Sequence, residues 1–575
     1  MSQDTTLRAD LVRLAEAILI PPFPGSSAPR WILDALGRGL GGVTLFGQNI
    51  STPDQVTALT ASLRAAGEQD DPVIAIDEEG GDVTRVAYSD GSPYPGNAAL
   101  GAVDDTSLTR LVYQAIGTDL AALGINLNLA PCADVLGSAD SPAVGTRSFG
   151  ADTELVSRHT AAAVTGLQSA GVAACTKHFP GHGRTGTDSH EAIATIEGGL
   201  DELRLRDLPP FAAAIKAGTI AIMPSHLRIP ELTGDLPATV SGPALAGLLR
   251  GELGFTGVIV SDALEMRATR DMFGIPRAAV LAVAAGTDLV CLGRDGSEEE
   301  YLAVRSALVT AVRDGTLAGS RLEEAADRVA RLRGGLARAR PAAAAGPVVA
   351  GGSVVAGGSV VAGGSVVAAG PTVAGRPAAG QLGTSVSSGA MGTAAERVDR
   401  VRVGLAAARR AARMSGPRPV LRDPLIIEVE PRENIAAGRF GWGLGPWAPA
   451  GSVRRVSTLN GGLGGPAGLG ESAGLSGSAG LGGSAGADGA GAGLVAGILE
   501  TAAGRPLVVV VRDAHRDQNT RSLVTALLAA RPGLVLVEMG LPLWRPPEGT
   551  TYLATYGASR ASAQAAAELL GLTEQ

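Results

Sequence analysis

Lysine is almost missing from this 575-residue chain: Lys177 and Lys216 are the only two, and arginine makes up the rest of the 48 basic residues. No basic tract stands out against a net charge of −8, which excludes a nucleic-acid partner gripped by phosphate neutralisation. Cysteine is scarce too. Cys132, Cys175 and Cys291 are far apart and odd in number, which excludes a disulfide framework; each lies in an apolar, strand-like run and reads as a buried thiol. Charged residues reach only 18%, below the usual quarter or so, yet hydrophobic residues stand at an ordinary 45%, so a wholly disordered chain is excluded. A secretory signal is not read either. The opening residues carry Asp4, Arg8, Asp10 and Arg13, and the apolar run at 17–20 is broken by Pro21 and Pro22, so a cytoplasmic location is expected.

Glycine, by contrast, is abundant: 81 residues of 575, about twice the usual share of roughly 7%. The excess is concentrated in two tracts. In the first, Val-Val-Ala-Gly-Gly-Ser runs three times from Val348 to Ser365 and decays by Gly370; the second covers 461–493. Residues 341–375 carry no charge and have the length of a membrane span, but Gly-Gly pairs every six residues cost about 1 kcal/mol per glycine in a helix. A flexible linker and a disordered loop insertion are therefore expected, with no membrane partner.

Ahead of the first tract, from Ala15 to about Arg333, the chain alternates short β-rich runs with helical patterns. Eight candidate strands occupy 17–20, 42–46, 73–77, 126–130, 173–178, 220–225, 257–262 and 288–292. Eight βα units in some 330 residues predict a (β/α)8 barrel of the TIM type, preferred to an open doubly wound sheet because the glycine fingerprint of its first turn is missing. Helices are expected at 297–314 and 320–333, the second ending at Gly334 and Gly335, and a charged helix at 394–413. Strands at 425–429, 507–511 and 534–538 with helices at 521–530 and 559–570 predict a smaller αβα sandwich. The expected organisation is thus a barrel over 1–336, a linker over 337–393, and a second domain over 394–575 interrupted at 461–493.

The densest polar segment is KHFPGHGRTGTDSH, Lys177 to His190, which holds three of the six histidines. His178 and His182 have the spacing of a helical metal pair, but Pro180 and Gly181 between them forbid a regular helix and the metalloprotease glutamate is absent, so no metal is expected. Asp77, Lys177, His178, His226 and Asp262 all fall at or just after predicted strand ends. On one rim of a barrel such groups predict a polar substrate pocket; the plain alternative for Asp262 is that it caps the helix expected after it.

These motifs carry a resemblance. KHFPGHG with DSH, IDEEGG with Arg85, GTRSFG and VSDALEM resemble the β-N-acetylglucosaminidase branch of glycoside hydrolase family 3. The likeness runs from GGVTLFGQNI at Gly41 to AGTDLVCLG at Ala285; IIEVEP, ENIAAG and ATYGASRAS resemble, less sharply, the αβα sandwich of its two-domain members. By that resemblance Asp262 is the nucleophile, His190 the general acid/base and Asp188 the partner that orients His190. Asp77, Arg85, Arg147, Lys177 and His178 would hold sugar hydroxyls, and no cofactor is implied. An imidazole acid suits the chemistry, since its ordinary pKa of about 6.5 lies near working pH, and Gly181, Gly183 and Gly186 would let its loop close over the sugar. Arg184 and the run EAIATIEGG after His190 depart from the family's usual residues.

The implied activity is retaining, exo-acting removal of terminal β-linked N-acetylglucosamine from muropeptides or chitin fragments. Three other readings compete: phosphorolysis, because a histidine acid/base presents no negative charge to phosphate; a β-glucosidase of the same family, ranked lower because that branch lacks the DSH loop; and a non-catalytic sugar-binding protein, against which Asp262, Asp188 and His190 together argue. Oligomeric state is not legible in the sequence.

Overall fold

The computed structural model describes residues 3–67, 71–137, 141, 143–186, 193–196, 198–339, 394–431, 443–458, 463–466 and 487–573. Eight parallel strands form where the apolar runs predict them: β1 (Leu19–Ile20), β2 (Gly42–Leu45), β3 (Val73–Ile76), β4 (Leu127–Asn128), β5 (Ala173–Phe179), β6 (Ala221–Pro224), β7 (Val258–Ile259) and β8 (Val290–Cys291). β2 to β7 pair in order as one curled sheet, and β1 pairs with β8. Backbone contacts close the ring. Ser261 N donates to Leu289 O at 2.9 Å between β7 and β8, and Thr44 N of β2 donates to the carbonyl of Pro21, just past β1, at 3.3 Å. Most regular strands are shorter than the apolar runs that mark them, because burial continues past the point where staggered neighbours stop pairing.

Asp288, just before β8, shows how the end of the barrel away from the strand tips is held. Its fully buried carboxylate accepts Arg250 Nη2 at 2.5 Å, Arg321 Nη2 at 2.6 Å, Arg328 Nη1 at 3.3 Å and the Ile259 N–H at 2.9 Å. One anion thus ties β7, β8 and two outer helices.

The second domain is built on a seven-stranded sheet of β9 (Arg413–Ser415), β10 (Leu425–Val429), β11 (Val453–Val456), β12 (Leu463–Pro466), β13 (Leu507–Val511), β14 (Val535–Glu538) and β15 (Thr551–Ala554). The spatial order is β9-β15-β14-β13-β10-β11-β12, with antiparallel edges β9 and β12 around a parallel centre. Alternation assigns the faces. Leu425, Ile427, Leu507, Val509 and Val511 pack with the helices Ala487–Thr501 and Gln518–Ala530, while Ile426, Val508, Val510, Val535 and Val537 pack beneath Arg560–Leu569. Both faces are covered, as an αβα sandwich requires.

Several expectations need correction. The helix expected to stop at Gly334 continues as Gly319–Ala339, because the buried Leu332 and Leu336 on either side of the glycine pair anchor it to the core; residues 337–339 are therefore helix rather than linker. The helix expected over 394–413 ends at Ala411, and Arg413 opens strand β9. The glycine-rich tract read as a loop over 461–493 contains β12 and the start of the helix Ala487–Thr501. Residues 341–393, with the hexamer repeat, and 467–486 lie outside the described residues. Among the described residues no helix is long and apolar enough to cross a membrane.

Asp288→Ala would take the shared anion from three guanidinium groups, leaving Glu324, 2.7 Å from both Arg321 and Arg328, to balance two of them. We expect a loss of about 3 to 5 kcal/mol in unfolding free energy, read by urea denaturation; a change below about 1 kcal/mol would contradict this account of Asp288.

Candidate active site

The strand tips surround a cavity of about 570 Å³ whose walls include Asp77, Arg85, Arg147, Lys177, His178 and Asp262. They arrive on four stretches of chain, and Arg85 shares the connection after β3 with Asp77. Asp77 follows β3, Lys177 and His178 lie near the end of β5, Asp262 follows β7 by three residues, and Arg147 ends the short turn Gly145–Arg147. Neighbouring parallel strands bring their C-terminal tips together, which is how residues 77, 177 and 262 come to one mouth.

Four of these side chains, with their partners, form one continuous chain of polar contacts. Lys177 Nζ lies 2.6 Å from Asp77 Oδ1 and 2.8 Å from Glu79 Oε1. Arg147 donates to Glu79 in fork geometry, Nε to Oε2 at 2.9 Å and Nη2 to Oε1 at 2.7 Å, and Nη2 reaches His178 Nε2 at 3.2 Å. A guanidinium only donates, so His178 Nε2 accepts and Nδ1 carries the proton it donates to Asp134 Oδ2 at 2.7 Å. Asp134 also accepts the Cys132 thiol at 3.0 Å and, on Oδ1, the His182 N–H at 2.7 Å. Asp77, about one-fifth exposed, is the outermost carboxylate; Glu79, Lys177 and Arg147 are nearly sealed.

Burial alone would push the Glu79 carboxyl up, but Arg147 and Lys177 together hold it far below the usual carboxylate range. Lys177 loses hydration by burial and is nevertheless held above the ordinary lysine value by Asp77 and Glu79. Asp134 is likewise buried and pulled down by His178. Opposite charges at contact distance outweigh desolvation at Glu79 and Lys177, and donated hydrogen bonds do so at Asp134.

Asp262 lines the same cavity. Its Oδ1 accepts the Ala263 N–H at 2.8 Å, and His226 Nε2 donates to the Ala263 carbonyl at 2.9 Å, so both backbone polar groups of the residue after Asp262 are engaged. The capping alternative fails, because the next helix is Arg267–Phe273, five residues on. Cys291 also lines the cavity, but burial, with the charges of Asp262 and Asp77 adding, pushes its thiol up to about 12, which leaves it inert as a nucleophile.

Asp188 and His190 lie outside the described residues; the stem of their loop does not. Gly183 O accepts the Gly137 N–H at 2.8 Å, and Arg184 is pinned by Asp207 at 3.0 Å and Glu202 at 2.9 Å. A Cβ on Gly183 would fall 1.9 Å from Val135 O, so only glycine allows this approach. His178 and His182 do not form a helical metal pair: their rings meet edge to face at 5.9 Å and both lean on Asp134. Cys132, Asp134 and His178 do cluster closely enough to hold a cation. Their polar atoms are already engaged with one another, however, and the Arg147 guanidinium at His178 Nε2 repels a metal, so the group fits a hydrogen-bond lock better than a metal site.

Sequence reasoning missed Glu79, Asp134 and Glu265. Glu79 is two residues beyond Asp77 in IDEEGG, and Asp134 closes the run after β4, so the argument from polar strand ends would have reached both. Glu265, whose carboxylate accepts the Asp295 N–H at 2.9 Å under the cavity rim, carries no comparable signal.

Glu78 offers a pH test. Burial raises its carboxyl from 4.5 to about 6, against N–H donation from Val86 and Arg85. Between those values the folded state holds a proton that the unfolded chain has lost, so stability falls as pH rises through the window and levels off above it. The loss is about 2 kcal/mol. Glu78→Gln should flatten the dependence between pH 4.5 and 6 in denaturation series; an unchanged slope would contradict the assignment.

The architecture and these residues agree with known proteins. Residues 27–332 match the Glycosyl hydrolase family 3 N terminal domain. A beta-hexosaminidase of Stenotrophomonas maltophilia (strain K279a) is 40% identical over 254 residues, 43% of this chain and 75% of that protein. Beta-hexosaminidase A of Pseudoalteromonas piscicida is 36% identical over 273 residues, and there the alignment spans 46% of the relative's length. The solved glycoside hydrolase family 3 beta-N-acetylglucosaminidase from Paenibacillus sp. str. FPU-7 superimposes with a TM-score of 0.75 at 28% identity, over 98% of this chain and 97% of that one. The chain belongs to glycosyl hydrolase family 3, in the branch of its beta-hexosaminidases, and is a glycoside hydrolase.

Proposed function

We propose that the protein is a retaining β-N-acetylglucosaminidase that removes terminal β-linked N-acetylglucosamine from muropeptide or chitin fragments. The observation that carries the reading is that one cavity is lined both by Asp262 and by the chain from Asp77 through Lys177, Glu79 and Arg147 to His178. The names of the relatives support the substrate class.

A terminal sugar offers several neighbouring hydroxyls, each both donor and acceptor. Asp77 can accept from two of them, while Lys177, Arg147 and Arg85 donate. Because Lys177 and Arg147 are locked by Glu79, they need not reorganise when the sugar enters, which favours the transition state over loose binding. Asp262 then attacks the anomeric carbon as His190 passes a proton to the departing glycosidic oxygen. In the second half His190 takes a proton from water, the water oxygen bonds to the same carbon, and Asp262 leaves as carboxylate. Asp188 keeps the imidazole of His190 oriented and balances its charge, as the acid of a Ser-His-Asp triad does. Side chains handle every proton in the cycle.

The test is turnover of p-nitrophenyl β-N-acetylglucosaminide. Asp262→Ala should abolish nitrophenol release, and His190→Ala should harm substrates with poor leaving groups more than this activated one. Arg147→Met should lower kcat/KM by an amount equivalent to about 2 to 4 kcal/mol. Residual wild-type-like activity in Asp262→Ala, or equal losses for His190→Ala on both substrate types, would sink the mechanism.

A further inference from the structure

Asp82 is a second deeply buried carboxylate at this rim, three residues beyond Glu79 and only 3% exposed. Its Oδ2 accepts Thr146 Oγ1 at 2.5 Å and Arg512 Nη2 at 2.8 Å, and its Oδ1 accepts the Ala558 N–H at 2.7 Å. The first partner belongs to the barrel. The other two come from the second domain, where Arg512 directly follows β13 and Ala558 lies just past β15.

The loop that bears Asp82 has little slack. Gly80 and Gly81 take φ of 74° and 61°, and a Cβ on Gly81 would stand 2.5 Å from Gly96 Cα. The same loop grips two consecutive residues of the turn Gly145–Arg147: Asp82 holds Thr146, and Glu79 holds Arg147. The turn's own backbone bonds are short-range, Arg147 N to Val144 O at 2.9 Å and Ser148 N to Gly145 O at 3.2 Å, and Asn97 Nδ2 donates to the Arg147 carbonyl at 2.7 Å, so Thr146 and the Arg147 side chain depend on the loop after β3.

We infer that Arg512 is a positioning residue for the barrel's site: its guanidinium compensates Asp82, keeps that carboxylate against Thr146, and thereby fixes the turn that aims Arg147 into the cavity. The physical ground is the cost of a buried charge without its partner. Arg512 is itself 9% exposed, so water does not take its place cheaply. Without the cation, Asp82 keeps a hydroxyl and one peptide N–H, draws solvent into the rim, and releases Thr146. The second domain thus contributes to the site through a contact with the loop after β3. The inference rests on the proposed function for what Arg147 does to substrate, and not for how Arg147 is held.

The experiment uses the full chain as wild type, Arg512→Met, Arg512→Lys and Arg147→Met, with the combination of the Arg512→Met and Arg147→Met substitutions. Hydrogen exchange of amides 144–148 is read together with kcat/KM on the aryl N-acetylglucosaminide. Arg512→Met should speed exchange across 144–148 by about tenfold or more while β1 and β2 stay as in wild type. It should lower kcat/KM by about 10- to 100-fold, but by less than about threefold when Arg147 is already Met, because two residues acting on one interaction are not additive. Arg512→Lys, which keeps the charge, should recover most of both. If Arg512→Met does not fold, Arg512→Gln carries the same comparison. Unchanged exchange at 144–148, or the same kinetic loss in both backgrounds, overturns the inference. Should wild type turn over no N-acetylglucosaminide, the proposed activity falls while the exchange data still decide the role of Arg512.

Discussion

Everything at the mouth of the barrel depends on the buried contact between Glu79 and its two cations, Arg147 and Lys177. Two positive groups and one negative one, all nearly withdrawn from water, are tolerable only because each satisfies the others at 2.7 to 2.9 Å. Once formed, the cluster leaves little freedom. Lys177 must also face Asp77, Arg147 must also face His178, and His178 in turn is held by Asp134. Removing a member would leave a charge uncompensated inside the protein, which costs far more than a surface ion pair is worth. The cavity-lining members of this cluster are therefore held in place by one another.

Near-absence of lysine gives this arrangement a sharper outline. Of the chain's two lysines, Lys177 is at the centre of the site. An ammonium is a compact charge that can touch two carboxylates at once, and it touches Asp77 and Glu79. Arg147 does the complementary work of a planar fork, holding one carboxylate with two donors and a histidine with one of them. The two cations are not interchangeable there.

Much of this was legible in the sequence, for identifiable reasons. Barrel strands buried on both sides announce themselves as apolar runs, and a charged residue at the end of such a run is conspicuous; Asp77, Lys177 and Asp262 were found that way. The second domain's central strands were equally plain, because an unbroken β-branched run such as LVVVV at β13 is too short for a helix and too apolar for a loop. The pairings were not legible. Arg147 with Glu79, and Arg512 with Asp82, join residues 68 and 430 positions apart, and no local pattern encodes such distances. Glycine misled in both directions: Gly334 and Gly335 looked like a helix end but are carried through by Leu332 and Leu336, and the tract at 461–493 hid β12 and a helix start. Local propensity is a weak prior wherever packing decides.

The central claim is that Asp262 forms a bond to the sugar. Rapid acid quenching during turnover of an activated aryl N-acetylglucosaminide, followed by proteolysis and mass spectrometry, tests it most directly. The account predicts a peptide bearing one N-acetylglucosaminyl group attached at Asp262. Steady turnover with that peptide unmodified, or with the sugar found on another residue, would contradict it.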